Sequence, residues 1–414
     1  MTSPFVALPI FARITITMLK TIVRTAIAAL LTALALPPAG ALALGLTRGP
    51  YVENPTQDSA LIRWRTEIST VTWLEYGPQP YCAKTMTISA SGKEHAIKLF
   101  DLLPATTYCY RLTVPYNDGA NSVLAATGTF STFRQPEQTN VEFMLFGNTG
   151  SSEPVEGQLA SAMLAPNPDF AMHTGNLFPS GKDEDADEYY FSPHSGLLAK
   201  MPVFITPGPN EYGNIATAWS GKNFFRQNYK RWHQMSWGPG SPSYYSFKTA
   251  NVLFVVLDTN FIAGTAAAPE ISSGSAQMTW LKNTLTRGTH RWKFVFTHTP
   301  LYSSGGPGPY PSLTTELATI FEKYKVNAVF QGGENCYERL LLMKDNAPSE
   351  TDGVLYITSG AAGRLSEHTP EAGAWTAKLD AVPNFVTVTV SYNSAIIKAY
   401  GADGLLLDEY TLTR

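Results

Sequence analysis

Seven short apolar runs constrain this chain more than any other feature: Val141–Phe146, Phe170–Thr174, Val203–Thr206, Val252–Leu257, Lys293–Thr297, Ala328–Phe330 and Val354–Thr358. Most stop at Gly, Pro, His or Asp, and amphipathic helical stretches such as Glu188–Lys200, Gln277–Thr286 and Leu313–Tyr324 lie between them. Strands that alternate with helices, each delivering polar residues at its C-terminal end, predict a layered α/β domain. Its site should be built from the loops at the strand ends.

The stretch before residue 133 has a different pattern. From Thr47 to Thr132 short alternating runs are punctuated by turns: Ser59–Arg65, Val71–Tyr76, His95–Phe100 and Thr107–Thr113. This spacing predicts a small β-sandwich. The polar stretch Phe133–Asn140 reads as a linker, giving a sandwich over 44–134 and an α/β domain over 135–414. Residues 1–43 read as an export signal. Lys20 and Arg24 precede the apolar run Thr25–Leu36, Pro37-Pro38 breaks it, and Ala41-Leu42-Ala43 supplies an A-x-A site with cleavage expected after Ala43. Met1 and Met18 are both candidate starts. The uninterrupted apolar stretch is short for a bilayer span, so no stable membrane span is expected after cleavage.

Composition removes other classes. Thirty Lys+Arg against 33 Asp+Glu give a formal charge of −3, and loss of Arg13, Lys20 and Arg24 with the signal leaves 27 against 33, or −6. A balance of this kind without basic runs offers no footprint for nucleic acid. Three cysteines, with no C-x-x-C pair, exclude zinc-ribbon, c-type haem and thioredoxin-like readings. Cys82 and Cys109 share the N-terminal segment, where a single bridge can form, and Cys336 is left over.

Five ordered blocks then carry the chemistry: Phe146-Gly147-Asn148-Thr149-Gly150, His173-Thr174-Gly175-Asn176-Leu177-Phe178, Pro207-Gly208-Pro209-Asn210-Glu211, Thr297-His298-Thr299-Pro300 and Gly332-Gly333-Glu334-Asn335-Cys336. With the flanking Arg48-Gly-Pro-Tyr51, Tyr244-Tyr-Ser-Phe247 and Phe254–Thr259, their spacing resembles that of the purple acid phosphatases, a branch of the calcineurin-like metallophosphoesterases. The resemblance runs from about Thr47 to the C-terminus. It implies a four-layer α/β/β/α sandwich preceded by an all-β, fibronectin type III-like domain. It also implies a dinuclear iron, zinc or manganese centre that generates a hydroxide and clamps phosphoryl oxygens.

The ligand positions depart from that pattern. Where the family blocks read G-D-x-G, G-D-x-x-Y, G-N-H-E, H-x-P and G-H-x-H, this chain places Asn148 for the first aspartate and Asn176 for the bridging one. Phe178 stands for the metal-binding tyrosine, Pro209 for the ligand asparagine and Asn210 for the catalytic histidine. Gly333 and Asn335 replace the last two histidines, and only His298 is retained. Two hard cations need anionic oxygens to offset their mutual repulsion, and an amide supplies one neutral oxygen. No catalytic residue, metal ligand set or cofactor is therefore expected. In a shifted register Asn210 takes the amide ligand's place and Glu211 the histidine's, which restores neither the bridge nor the imidazoles.

Individual residues have plainer readings beside these. His298 is expected to be a remnant that hydrogen-bonds within a polar pocket, His173 a structural residue and His194 an exposed one. Asp183–Glu188 has a D-x-D-x-D spacing but lacks the glycine of a calcium loop, and acids at a helix start are favoured by its dipole. Cys336 reads as buried filler rather than a nucleophile. The segments Ser303–Gly308 and Gly264–Gln277 read as flexible surface, and Trp232, Trp237, Tyr244 and Tyr245 as core aromatics. Asn148, Asn176, Asn210 and Asn335 are expected to meet His298 in one pocket of neutral donors and acceptors. The leading expectation is an exported, secreted or periplasmic pseudoenzyme that binds a small molecule, glycan or protein there. The rivals are an active phosphoesterase, through a residual metal at His298 or groups not recognised, and a surface protein acting through its sandwich.

Overall fold

The computed structural model describes residues 45–414 apart from 83–84, 117–120, 152–153, 214–228, 230–232, 234–241, 263, 266, 306–309 and 365–369. The expected signal segment, Trp232 and Trp237 lie outside the described residues. The first seven strands form two antiparallel sheets. One holds Leu46–Glu53, Ala60–Thr70 and Gly92–Leu99; the other runs Thr85–Ile88, Trp73–Pro78, Thr107–Tyr116 and Asn121–Ser131. Strand alternation turns Trp64, Leu74, Tyr110, Leu112 and Phe130 into the space between the sheets. Cys82 and Cys109 are joined by a disulfide with their Cα atoms 4.9 Å apart.

The following domain is built on two larger sheets. The six-stranded sheet runs Val203–Ile205, Phe170–His173, Val141–Phe146, Asn384–Val390, Ser394–Gly401 and Leu406–Thr413. The seven-stranded sheet runs Tyr245–Thr249, Val252–Val256, Trp292–Thr297, Ala328–Gln331, Leu355–Ser359, Tyr337–Leu340 and Thr376–Asp380. Both are apolar on two faces. Phe143 and Leu145 point between the sheets while Met144 and Phe146 face the helical side, and Phe254 and Val256 alternate likewise with Leu253 and Val255. The seam is aromatic: Phe143 lies within 5.3–6.1 Å of the rings of Phe170, Phe254, Phe294, Phe296 and Phe330. The result is a four-layer sandwich with the parallel strands of both sheets ending at one edge.

Three expectations about the scaffold change. Phe133, read as the start of a polar linker, is buried in the seam and stacked 5.5 Å from Phe247. The helix expected over Glu188–Lys200 is broken into Asp183–Ala186, a wide turn Asp187–Phe191, and Ser195–Leu198. Pro193 cannot donate to the ladder and separates the last two pieces. Gln277, at the end of a segment read as flexible surface, is buried at the start of helix Ala276–Thr286, and its Oε1 accepts the Asp258 N–H at 2.8 Å.

The acidic cluster joins the two parts of the chain. Arg48 of the sandwich, with its side chain 1% exposed, pairs with Asp183 at 2.9 Å and Asp187 at 2.5 Å. Arg65 reaches the same two carboxylates from the next strand. Asp185 is held by the Ser180 hydroxyl. The carboxylates that suggested a calcium loop are thus consumed by protein partners.

Candidate functional site

The loops at the strand ends converge because glycines let them. Gly175 has φ +98°, and a Cβ on it would lie 2.6 Å from both His298 Nδ1 and the Thr206 carbonyl. A Cβ on Gly208 would lie 2.6 Å from Asn176 Oδ1 and 2.9 Å from His298 Cε1. These contacts place Asn176 and His298 side by side. Asn148 and Asn176 themselves have φ +53° and +57°. Asn and Asp tolerate this left-handed region better than other side chains. An aspartate-to-asparagine exchange therefore keeps the loop conformation while removing the charge.

The amides are largely spent on one another. Asn148 Nδ2 donates to Asn335 Oδ1 at 3.0 Å, the Asn210 N–H donates to Asn176 Oδ1 at 3.1 Å, and Asn210 Nδ2 donates to the Phe178 carbonyl at 2.9 Å. Phe178 is buried among apolar side chains, and Pro209 opens a short 3-10 turn without offering a donor atom. Gly333 has φ +81°, a conformation in which a histidine would be strained. His298 is buried, and its Nδ1–H donates to the Thr174 carbonyl at 2.6 Å. Desolvation lowers its pKa to about 4, so the ring is neutral with Nε2 as an acceptor.

Tested against a dinuclear centre, this donor set does not fit. The buried Asn148 Oδ1 is without a hydrogen-bond partner and offers one neutral oxygen, and His298 Nε2 offers one nitrogen. The Asn176 and Asn335 oxygens are already accepting. Among the described residues no group of three or more His, Cys, Asp or Glu side chains is placed to hold a metal ion.

Glu211 settles the register of the third block. Its fully buried carboxylate accepts the N–H groups of Gly208 at 2.6 Å, Leu177 at 2.8 Å and Asn176 at 3.0 Å. Burial raises its pKa to about 7 against these three donors. It fastens loops together and is not free to stand in for a histidine, so the shifted register fails.

Other expected residues fall into structural roles. His173 Nδ1 accepts the Gly175 N–H at 3.0 Å, and its Nε2 meets the Thr149 hydroxyl at 3.0 Å. His194, expected at the surface, is buried: its Nδ1–H donates to the Tyr190 carbonyl at 3.0 Å and its pKa falls to about 4 by desolvation. It sits in the turn that leads into helix Ser195–Leu198, whose burial a one-dimensional reading does not show. Burial pushes the Cys336 thiol up, as filler requires. Tyr245 is buried and its hydroxyl donates to the Ile205 carbonyl.

Two charged residues near the site receive no role from the motif pattern: Glu334 fills the unassigned position of the last block and Arg364 lies outside all five blocks. Arg364, in the Gly360-Ala-Ala-Gly-Arg run after strand Leu355–Ser359, acts electrostatically on both His298 and Glu156. Glu334 is 8% exposed, and its pKa is raised to about 7 by desolvation and then by Glu338. A carboxyl raised on folding binds protons more tightly in the native state, so it costs stability as pH rises from the unfolded value toward 7. Glu334→Gln removes this cost. The melting temperature of Glu334→Gln minus that of the native chain should be near zero at pH 4.5 and grow positive by pH 8; a difference that falls with pH would contradict the assignment.

Comparison with known proteins agrees with the fold. The calcineurin-like phosphoesterase family matches residues 155–337. Purple acid phosphatase 22 of Arabidopsis thaliana is 26% identical over 309 residues, which cover 70% of this chain and 65% of that protein, so the match stops short of two thirds of the relative. Purple acid phosphatase PPD1 from yellow lupin (Lupinus luteus) seeds superposes with a TM-score of 0.72 at 17% identity, over 89% of this chain and 75% of that one. GAP50, the anchor in the inner membrane complex of Plasmodium, superposes at 0.54 and 16% identity, over 67% of this chain and 89% of that one. Residues 155–337 thus match the calcineurin-like phosphoesterase family, and the chain is similar in sequence and in fold to purple acid phosphatases.

Proposed function

We propose that this chain is an exported pseudoenzyme that keeps the phosphatase scaffold, has lost the dinuclear centre, and binds a small molecule, glycan or protein in the former active-site pocket. The observation that carries the reading is the reassignment of the ligand oxygens: the amides of Asn176 and Asn335 are held by neighbouring donors rather than left facing a metal. The neutral His298 ring and the unpartnered Asn148 Oδ1 favour a ligand that can donate hydrogen bonds. Export is supported by the signal-like segment 1–43 and by the Cys82–Cys109 disulfide, which suits an oxidising compartment. No helix among the described residues is long and apolar enough to cross a membrane.

Turnover of p-nitrophenyl phosphate by the full chain, with iron, zinc or manganese added, tests the proposal. No metal-dependent hydrolysis above the metal-only blank is expected. A rate that saturates with added metal and is abolished in His298→Ala would overturn it.

A further inference from the structure

A second cleft lies at the start, not the end, of strand Val252–Val256, away from the loops described above. Three elements build it. On helix Ala276–Thr286 and its C-cap, Trp280, Thr284 and Arg287 follow the i, i+4, i+7 spacing of one helical stripe, while Met278, Leu281 and Leu285 face the core. The edge strand Tyr245–Thr249 buries Tyr245, Phe247 and Thr249 and leaves Ser246 and Lys248 on its other side. The sandwich loop preceding Ala60 closes the third wall with Asp58. The cleft encloses about 560 Å³, within the size range of small-molecule sites.

Its chemistry is specific. Trp280 packs on the core and on Tyr244, ring centroids 5.1 Å apart, and still lines the cleft. Neither Lys248 nor Arg287 is held in an ion pair among the described residues, although both line the same space. Ser246 and Thr284 line the same cleft and carry hydroxyls. An indole face accepts the C–H face of a sugar ring, hydroxyls exchange hydrogen bonds with hydroxyls, and a planar guanidinium suits a carboxylate. The Asp58 carboxylate also lines the cleft and disfavours a highly charged polyphosphate more than a ligand with a single carboxylate.

We infer that this cleft binds an acidic saccharide, with a sugar ring on Trp280 and a ring carboxylate between Lys248 and Arg287. This site does not depend on the fate of the former active-site pocket. The test titrates the full chain with digalacturonate, following tryptophan fluorescence and heat, beside the neutral disaccharide cellobiose and inorganic phosphate. Digalacturonate should bind saturably, and cellobiose at least about tenfold more weakly. Trp280→Ala and the Lys248→Gln/Arg287→Gln double variant should each weaken binding by about tenfold or more, the double variant with unchanged melting. Raised salt should weaken binding to the native chain and leave the double variant unaffected. Absence of saturable binding, equal binding of cellobiose, full competition by phosphate, or indifference to both variants would each overturn the inference.

Discussion

Glu211→Ala is expected to lose about 5 kcal/mol of unfolding free energy, because three buried N–H groups lose their acceptor at once and each orphaned donor costs about 1–3 kcal/mol. The Gly208, Leu177 and Asn176 amides belong to two different loops, and the carboxylate between them is fully buried. Glu211→Gln keeps one acceptor oxygen but turns an amide NH₂ toward backbone donors, so it should recover only part of the loss. Urea unfolding of the two variants and the native chain measures both. A loss below about 1 kcal/mol for Glu211→Ala would mean that water replaces the carboxylate and that the loops do not depend on it.

Arg48→Met should cost about 4 kcal/mol, as expected when one partner of a buried ion pair is removed. The guanidinium is almost wholly buried and lies 4.4 Å from the centre of the Phe191 ring while pairing with Asp183 and Asp187. The substitution leaves both carboxylates on Arg65 alone, which is more exposed. Because Arg48 and the two acids sit on different layers, the loss should appear as earlier release of the sandwich. Limited proteolysis near residue 133 should accelerate along with the fall in denaturant midpoint. Equal stability of Arg48→Met and the native chain would show that the Arg48 ion pairs do not hold the two parts together.

Much of the scaffold is legible in the chain because it depends on local signals. The seven apolar runs became strands within a residue or two of their expected bounds, and the sandwich strands followed from period-2 alternation. The helices Gln277–Thr286 and Leu313–Tyr324 correspond to Ala276–Thr286 and to a continuous helical stretch from Pro311 to Lys323. What failed was pairwise information. Nothing in the residues around Asp183 announces that Arg48 and Arg65, more than 110 residues earlier, will neutralise it. His194 and Phe133 look unremarkable in sequence and are buried by elements far away along the chain.

The site divides in the same way. The block spacing located the residues, and Asn148, Asn176 and His298 do occupy adjoining strand-end loops. The hydrogen bonds that decide their use were not legible, since whether an amide oxygen faces a metal or a neighbouring N–H is a question of tertiary geometry. Glu211 illustrates the point: its position in the third block allowed a ligand role, and three backbone donors remove it. Arg364 stays hidden in the sequence because a single charged residue carries no periodic or motif signal, and Glu334, although inside the last block, fills the position to which the pattern assigns no ligand.

Metal stoichiometry tests the central claim most directly. The full chain, purified without chelator, is incubated with iron, zinc and manganese, desalted, and analysed by inductively coupled plasma mass spectrometry. A donor set of one neutral imidazole nitrogen and one free amide oxygen predicts retention of far less than one ion per chain. Two ions retained per chain, and lost on His298→Ala, would contradict the account and require ligands from outside the strand-end blocks.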